Sequence, residues 1–197
     1  MLADAFRGEA LFRALSADAE LRARVLPVYF RGEVRAAAAA GDAWLHLTAD
    51  GEVTGVGLWR SGRGWSASLR DQLALGRAVL RHAGPVEGMR IARRSARLMR
   101  ATTHPGTYSY LRWLGVGPAR QGSGSGRALV EHGYRTYPGP YLLECVDTLV
   151  GYYSDLGFRE TGVIDVSRDA PVLHVMESSG QLRDEDRGAG EDPAAFG

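Results

Sequence analysis

Three glycines at alternate positions mark the segment with the clearest capacity for chemistry. Gly122, Gly124 and Gly126 follow an apolar stretch that ends at Val116, and they lead into a segment with helical spacing. Glycine lets the backbone adopt positive φ and approach a ligand closely, and the free N–H groups at a helix start attract phosphate. The segment therefore predicts a loop that binds a phosphate or pyrophosphate. A flexible turn without a ligand is the alternative.

The spacing of these glycines does not fit two common motifs. A dinucleotide-binding fingerprint reads Gly-x-Gly-x-x-Gly near the start of a βαβ unit, whereas this chain has Gly-x-Gly-x-Gly late in its length. A nucleophile elbow needs Gly-x-Ser-x-Gly, and neither Ser123 nor Ser125 is flanked in that way. The chain contains no lysine, which excludes a Walker A loop and a Schiff-base enzyme.

Composition excludes further classes of function. Cys145 is the single cysteine, so an internal disulfide and a cysteine-rich zinc site are excluded, and we expect no metal. The net charge is +1 with acids and arginines mixed, so no nucleic-acid partner is expected and the arginines of 90–100 are interpreted as a solvated helix face. No apolar run is long enough for a membrane span, and no signal peptide is visible, so a cytoplasmic location is expected. The residue usage is typical of GC-rich, actinobacterial coding DNA.

Periodicity and turn residues predict a mixed α/β domain. Helices are predicted over 3–15, 19–40 with a kink at Pro27, 67–82, 86–101, 124–134 and 149–156, and strands over 43–48, 53–59, 108–116, 141–145, 158–166 and 172–176. This order predicts one mixed sheet with a parallel pair in its C-terminal half. The domain would cover 1–177, and the polar, acidic segment 178–197 is predicted to be disordered.

Two motifs in this order resemble the GCN5-related N-acetyltransferases (GNAT family). Gln121-x-x-Gly124-x-Gly126, after a Val-Gly-Pro turn, is similar to the family's acetyl-CoA loop. The run from Tyr152 to Phe158, an aromatic-Tyr pair leading to Gly-Phe, resembles its second motif. The resemblance is specific over 108–160 and looser over 43–176, and it is closest to puromycin-type antibiotic acetyltransferases.

The resemblance implies a single mixed sheet of the GNAT acyl-CoA N-acyltransferase type and a binding site for acetyl-CoA. The two parallel strands would splay apart at their C-terminal ends, and the pantetheine arm would pair with backbone there. Arg120 and Arg127 could add charge to the phosphates. The implied cofactor-binding residues are Leu114, Gly115, Val116, Gln121, Gly122, Ser123, Gly124, Ser125, Gly126 and Arg127.

The resemblance also implies catalytic roles. Tyr153 matches the family tyrosine that protonates the leaving thiolate, with Tyr152 as its packing partner; the alternative is a simple packed aromatic. Glu144 matches the glutamate that acts as base, and a structural ion pair with an arginine is its alternative. His104 would line the mouth of the site or have no role, and Cys145 would fill the core. Trp44, Trp59 and Trp113 would be core or pocket wall, while Trp65 could touch an acceptor.

Two departures from the family pattern qualify these expectations. The family's CoA-binding asparagine is missing, and Asp147 lies nearest its place. The family's usual first strand is also missing, which would leave strand 43–48 as an open edge. An upstream start, a second copy of the chain or the helix over 19–40 could cover that edge, and a homodimer is the favoured outcome.

The expected function is direct acetyl transfer from acetyl-CoA to the amine of a small molecule, either an antibiotic or a biosynthetic intermediate. One alternative is a scaffold that binds CoA without transferring an acetyl group. The missing asparagine and the missing first strand favour this alternative. Another is a different CoA-linked reaction on the same fold, such as decarboxylation or O-acylation. The acceptor would be selected near Tyr29, 59–65 and 89–100.

Overall fold

The computed structural model describes residues 1–61, 64–102, 107–165 and 170–180. Within these residues the helices are α1 (Leu2–Ala5), α2 (Ala10–Leu15), α3 (Ala19–Ala40), α4 (Leu69–Ala101), α5 (Ser125–Thr136) and α6 (Val150–Asp155). The strands are β1 (Ala43–Leu47), β2 (Val53–Arg60), β3 (Ser109–Val116), β4 (Tyr141–Val146), β5 (Arg159–Ile164) and β6 (Leu173–Ser178). His104 and residues 181–197 lie outside the described residues, so the predictions for them stay predictions.

The strands form one mixed sheet in the order β1-β2-β3-β4-β6-β5. Among the described strands, β3 and β4 run parallel, and every other neighbouring pair is antiparallel. The predicted α/β class and the parallel pair in the C-terminal half are both confirmed. β1 and β5 form the two edges of this sheet.

The helix boundaries follow capping signals in the sequence. The Asp18 side chain accepts hydrogen bonds from the N–H groups of Glu20 and Leu21, and α3 ends at Gly41, which has φ 78°. Pro27 lies inside α3, which is continuous through it. α4 spans both helices predicted over 67–101, with a break at Gly84, where φ is 72°.

The prediction of a single helix over 3–15 is wrong. The segment forms α1 and α2, separated by a turn that contains Gly8. Glu9 then caps α2, because its carboxylate accepts a hydrogen bond from the Leu11 N–H at 2.7 Å. A local capping bond thus competes with continuation of the helix, and glycine favours the break.

Each face of the sheet carries its own apolar core. On one face, α1, α2 and α3 pack on β2 and β3 through aromatic residues, among which Trp113 contacts Phe6, Phe12 and Phe30 at ring-centroid distances of 5.1, 5.6 and 5.3 Å. On the other face, α5 and α6 pack on β3, β4 and β6, and Trp59 and Phe158 are fully buried there. The sheet therefore separates a helix α3 face from a helix α5 face.

A β-bulge in β3 changes which side chains reach the α3 face. Leu58 pairs with Trp113 and Trp59 pairs with Leu111, so Arg112 is an extra residue on β3. Such a bulge re-aims the side chains that follow it. As a result, the consecutive residues Arg112 and Trp113 both reach Glu33 of α3.

No helix in the described part of the chain is both long and apolar enough to cross a membrane.

Candidate functional site

The two parallel strands part soon after they begin. β3 and β4 pair only at Ser109 with Tyr141 and at Tyr110 with Leu142. Beyond this point the facing edges of β3 and β4 share no further residue pairs, so a gap opens toward their C-terminal ends. The splayed arrangement expected from the sequence is confirmed, with Leu114, Gly115 and Val116 on the β3 side of the gap.

The loop at the end of β3 is open on its outer side. A short 3₁₀ turn over Pro118–Arg120 leads to Gly122 and Gly124, and each of these glycines has φ 80°. A Cβ at either position would meet nothing within 4 Å. Positive φ explains why glycine occupies these positions, and the empty space beside them can accommodate a ligand.

One backbone and one side-chain hydrogen bond tie the base of this loop to β2. Thr54 accepts the Gly117 N–H on its backbone oxygen at 3.0 Å, and its hydroxyl accepts the Ser125 hydroxyl at 3.1 Å. The Ser123 and Ser125 hydroxyls are 2.8 Å apart. Thr54 and Ser125 are buried. The start of α5 is therefore held in place, with its first-turn N–H groups directed toward the loop.

The two arginines of the loop, Arg120 and Arg127, differ in whether a neighbouring acid neutralises their charge. Arg120 forms an ion pair with Glu52 in the turn between β1 and β2, so its charge is not free for phosphate. Arg127 lies close enough to the Tyr152 hydroxyl to oppose the increase in its pKa that burial causes. Arg127 is thus the better placed of the two arginines for an anionic ligand.

Gly126 has a different reason to be glycine than its loop neighbours. The Tyr152 hydroxyl lies where a Cβ at position 126 would be, and the Val116 side chain is 3.6 Å from that place. Through Tyr152, α6 therefore contacts the glycine loop at the start of α5.

Tyr153 lies in the core of the α5 face. Its side chain is 7% exposed and packs edge-on against Tyr152 and Phe158, at ring-centroid distances of 5.1 and 5.9 Å. Burial, and to a lesser degree Tyr152 and Cys145, raise the pKa of the Tyr153 phenol well above its ordinary value. The phenol is therefore protonated at neutral pH and can act as a proton donor.

Glu144 points to the opposite face of the sheet. Its carboxylate accepts a hydrogen bond from the Tyr110 hydroxyl, which lies on the neighbouring strand β3. Burial first, and then the Glu144 charge, raise the pKa of Tyr110, whereas Arg112 lowers it. Glu144 and Tyr153 therefore lie on opposite faces of the sheet.

A polar cluster lies beside Glu144 on the α3 face. Glu33 is 5% exposed and accepts hydrogen bonds from Arg112 Nε at 2.6 Å and from Trp113 Nε1 at 2.9 Å. The Tyr29 hydroxyl lies 3.4 Å from Arg112 Nη2, and Trp65 is buried with its ring centroid 5.9 Å from the Arg112 guanidinium. This cluster therefore combines the Glu33 carboxylate, the Arg112 guanidinium and several aromatic rings.

Solved structures resemble this fold, although sequence comparisons find no relative. A scan against protein-family models finds no match, and neither does a search of the curated proteins. An acetyltransferase of Corynebacterium glutamicum ATCC 13032, related to histone acetyltransferase HPA2, superposes with a TM-score of 0.65 at 20% identity, covering 93% of this chain and 91% of that chain. The chain has the GNAT acetyltransferase fold.

Two further solved structures match less closely. An N-acetyltransferase of Staphylococcus aureus Mu50 has a TM-score of 0.48 at 16% identity, covering 78% of this chain and 80% of that chain. Naa20 of Chaetomium thermophilum has a TM-score of 0.46 at 15% identity, covering 85% of this chain and 80% of that chain.

Within this GNAT fold, the glycine loop and the aromatic pair predicted from the sequence come together at one end of the gap. Glu33, Tyr110 and Arg112 were missed by sequence reasoning. Tyr29 and Glu33 are four residues apart, which places them on one helix face. That spacing indicates that Tyr29 and Glu33 lie close together. Nothing in the sequence, however, indicates that Glu33 pairs with a residue of a strand.

Asp147, where the family has an asparagine, lies beside a histidine. Its carboxylate is 3.6 Å from Nε2 of His174, and Glu160 is 3.2 Å from Nδ1 of the same ring. The described residues contain no group of three His, Cys, Asp or Glu side chains able to hold a metal ion.

Proposed function

We propose that the chain is an acetyl-CoA-dependent N-acetyltransferase that acts on the amine of a small molecule. The observation that carries this proposal is the gap between β3 and β4, which ends at an open glycine loop and at the start of α5. Backbone N–H groups at a helix start favour phosphate, and a gap between strands leaves backbone groups for the pantetheine amides. These features fit an extended, phosphate-bearing thioester.

The cofactor-binding assignment names residues on both sides of the gap. Leu114, Gly115 and Val116 would pair with the pantetheine arm, and the backbone from Gln121 to Arg127 would hold the pyrophosphate. The space beside Gly122 and Gly124 supports this assignment, because a side chain there would enter it. Arg127 would add positive charge, and Arg120 would instead hold the loop to Glu52.

The proposed chemistry is direct transfer. The amine nitrogen attacks the thioester carbonyl, a C–N bond forms and the C–S bond breaks. Glu144 accepts the proton lost by the amine, directly or through water, and the Tyr153 phenol protonates the departing thiolate. Tyr153 then regains its proton from solvent. The placement of these two groups on opposite faces suits a donor and an acceptor that approach from opposite sides.

A puromycin-type acceptor, either an antibiotic or a biosynthetic intermediate, is the finer form of this proposal. It rests on the similarity of the strand, loop and aromatic motifs to those enzymes. The polar cluster with Glu33, Arg112 and Trp113 supports it, since it places charged and aromatic groups beside Glu144 on the face where an amine would enter.

A combined binding and transfer experiment tests the proposal. Acetyl-CoA should raise the melting temperature, because a ligand that binds only the folded state stabilises it. Incubation with a panel of amines should then release free thiol and add an acetyl group to an amine, as measured by mass. A melting shift without transfer to any amine would favour the CoA-binding scaffold, and a lack of any shift would refute the CoA site.

A further inference from the structure

The α3 face contains a guanidinium whose charge is already balanced. Glu33 is buried with its side chain 7% exposed, and it forms an ion pair with Arg112 at 2.6 Å. A carboxylate in such a place is costly unless it is paired and hydrogen-bonded. The Trp113 indole N–H adds a second donor to the same Glu33 oxygen, at 2.9 Å. Glu33 and Arg112 therefore form a fixed pair.

Arg112 lies on the face of the sheet where the proposed acceptor would enter. It is the extra residue of the bulge in β3, next to the gap, and its charge reaches the hydroxyl of Tyr110, which donates to Glu144. Its side chain is 22% exposed. Two indole rings flank the guanidinium, with centroids 5.9 Å away for Trp65 and 5.6 Å away for Trp113. A guanidinium held in this way would bind a carboxylate if its charge were free.

Glu33 prevents that use of Arg112. The Arg112 Nε is occupied by Glu33, Nη2 faces the Tyr29 hydroxyl, and the positive charge is cancelled by the buried carboxylate. The next arginine on this face, Arg60, donates from Nε and Nη2 to the Trp65 carbonyl oxygen. An acceptor with an acidic group would therefore find no free positive charge on Arg112.

We propose that Glu33 determines which acceptor charge is accepted. By neutralising Arg112, Glu33 makes the enzyme select alkylamines that carry an aromatic ring and no acidic group. This inference rests on the proposed acetyl transfer and adds the substrate class and a specificity-determining residue. Glu33 acts through Arg112 and is therefore a positioning residue. The rings of Tyr29 and Trp113 supply the aromatic surroundings that favour a cationic amine with an aromatic body.

A matched pair of acceptors tests this inference. 2-Phenylethylamine and phenylalanine share one body and differ by a carboxylate. We expect the wild-type kcat/KM to favour 2-phenylethylamine by at least about tenfold, since one unbalanced charge at several ångströms has an effect of this order. A wild-type protein that prefers phenylalanine would overturn the inference.

A double-mutant cycle separates charge from simple disruption of the core. Glu33→Gln keeps a hydrogen-bond acceptor but frees the Arg112 charge. The kcat/KM preference for 2-phenylethylamine over phenylalanine should therefore fall about tenfold. The double variant Glu33→Gln/Arg112→Gln should return it to the wild-type ratio. If Glu33→Gln does not fold, Arg112→Gln is compared with the double variant instead. Because Arg112→Gln leaves the Glu33 charge unbalanced, its kcat/KM preference for 2-phenylethylamine should be about tenfold greater than that of the double variant. Equal ratios in all folded variants would overturn the inference.

The same assays separate this inference from the proposed function. A protein that acetylates other amines but neither probe retains the proposed function and refutes the acceptor class. A protein that binds acetyl-CoA but acetylates no amine refutes the transfer itself.

Discussion

Burial of Tyr153 determines the form in which its phenol is present in the site. Because burial raises its pKa above the ordinary value near 10, the protonated form, which is the acid, persists through the alkaline range. We therefore expect Tyr153→Phe to lower kcat by about 10²- to 10⁴-fold, with acetyl-CoA affinity nearly unchanged. The rate of the wild-type protein should not decline through Tyr153 ionisation below about pH 10.

Tyr152→Phe provides the matched control for Tyr153. It removes a neighbouring phenol of the same helix, which lies against Gly126 and is not assigned a proton-transfer role. Its kcat should stay within a few-fold of the wild-type value. A Tyr153→Phe protein with wild-type turnover would place the acid elsewhere.

Glu144 is the second residue whose role a single substitution can test. Glu144→Gln keeps an acceptor for the Tyr110 hydroxyl but cannot take a proton from the amine. We expect kcat to fall about 10²- to 10⁴-fold. Glu160→Gln, which removes a carboxylate on β5, serves as the control. Wild-type turnover in Glu144→Gln would assign Glu144 a structural role.

The residues found from the sequence and those missed differ in the kind of signal they carry. The alternate glycines and Tyr153 belong to contiguous motifs, so their spacing along the chain is sufficient to identify them as candidate site residues. Glu33 and Arg112 are far apart in sequence and meet only because the sheet packs on α3. The bulge that brings Arg112 and Trp113 to the same carboxylate depends on register with β2, which local propensity does not encode.

At the level of elements, the glycine loop carries the clearest prediction. Gly124 precedes α5 with φ 80°, a conformation that costs an L-residue about 1–2 kcal/mol. Gly124→Ala should therefore lower stability by that amount and reduce or abolish the increase in melting temperature caused by acetyl-CoA, because a methyl group would enter the open space beside the loop.

Gly76→Ala controls for the loss of a glycine in general. Gly76 lies inside α4 without positive φ, and a Cβ there meets nothing within 4 Å. The substitution should stabilise the protein by up to about 1 kcal/mol and leave the acetyl-CoA response intact. An undiminished response in Gly124→Ala would contradict the loop assignment.

The boundaries of helices were predictable where the capping or turn residues lie next to them in the sequence. Asp18 and Gly41 bracket α3, and the Gly84-Pro85 break was visible in the sequence. The split of 3–15 into α1 and α2 was missed because the Glu9 cap competes with a helical pattern that continues through it. The parallel pair followed from strand order, since a strand–helix–strand unit joins parallel neighbours.

At the scale of the whole molecule, the two sheet edges are unlike. β5 is exposed along most of its length, carries Arg159 and Glu160, and has a bulge at Thr161. Charges and bulges of this kind discourage pairing with another chain. β1 instead presents Leu45 and Leu47, which are 57% and 49% exposed, and His46 is its only titratable side chain. The β1 edge is therefore the better candidate for association.

We expect a second copy of the chain to pair along β1, so that light scattering at micromolar concentration gives the mass of a dimer. Leu45→Glu should shift the mass toward the monomer, because the new charges would face each other across a strand pair with little solvent. Val163→Glu, on an equally exposed residue of β5, should leave the mass unchanged. A wild-type protein that is monomeric with a cooperative thermal transition would refute the dimer, and would mean that this edge is tolerated or covered within one chain.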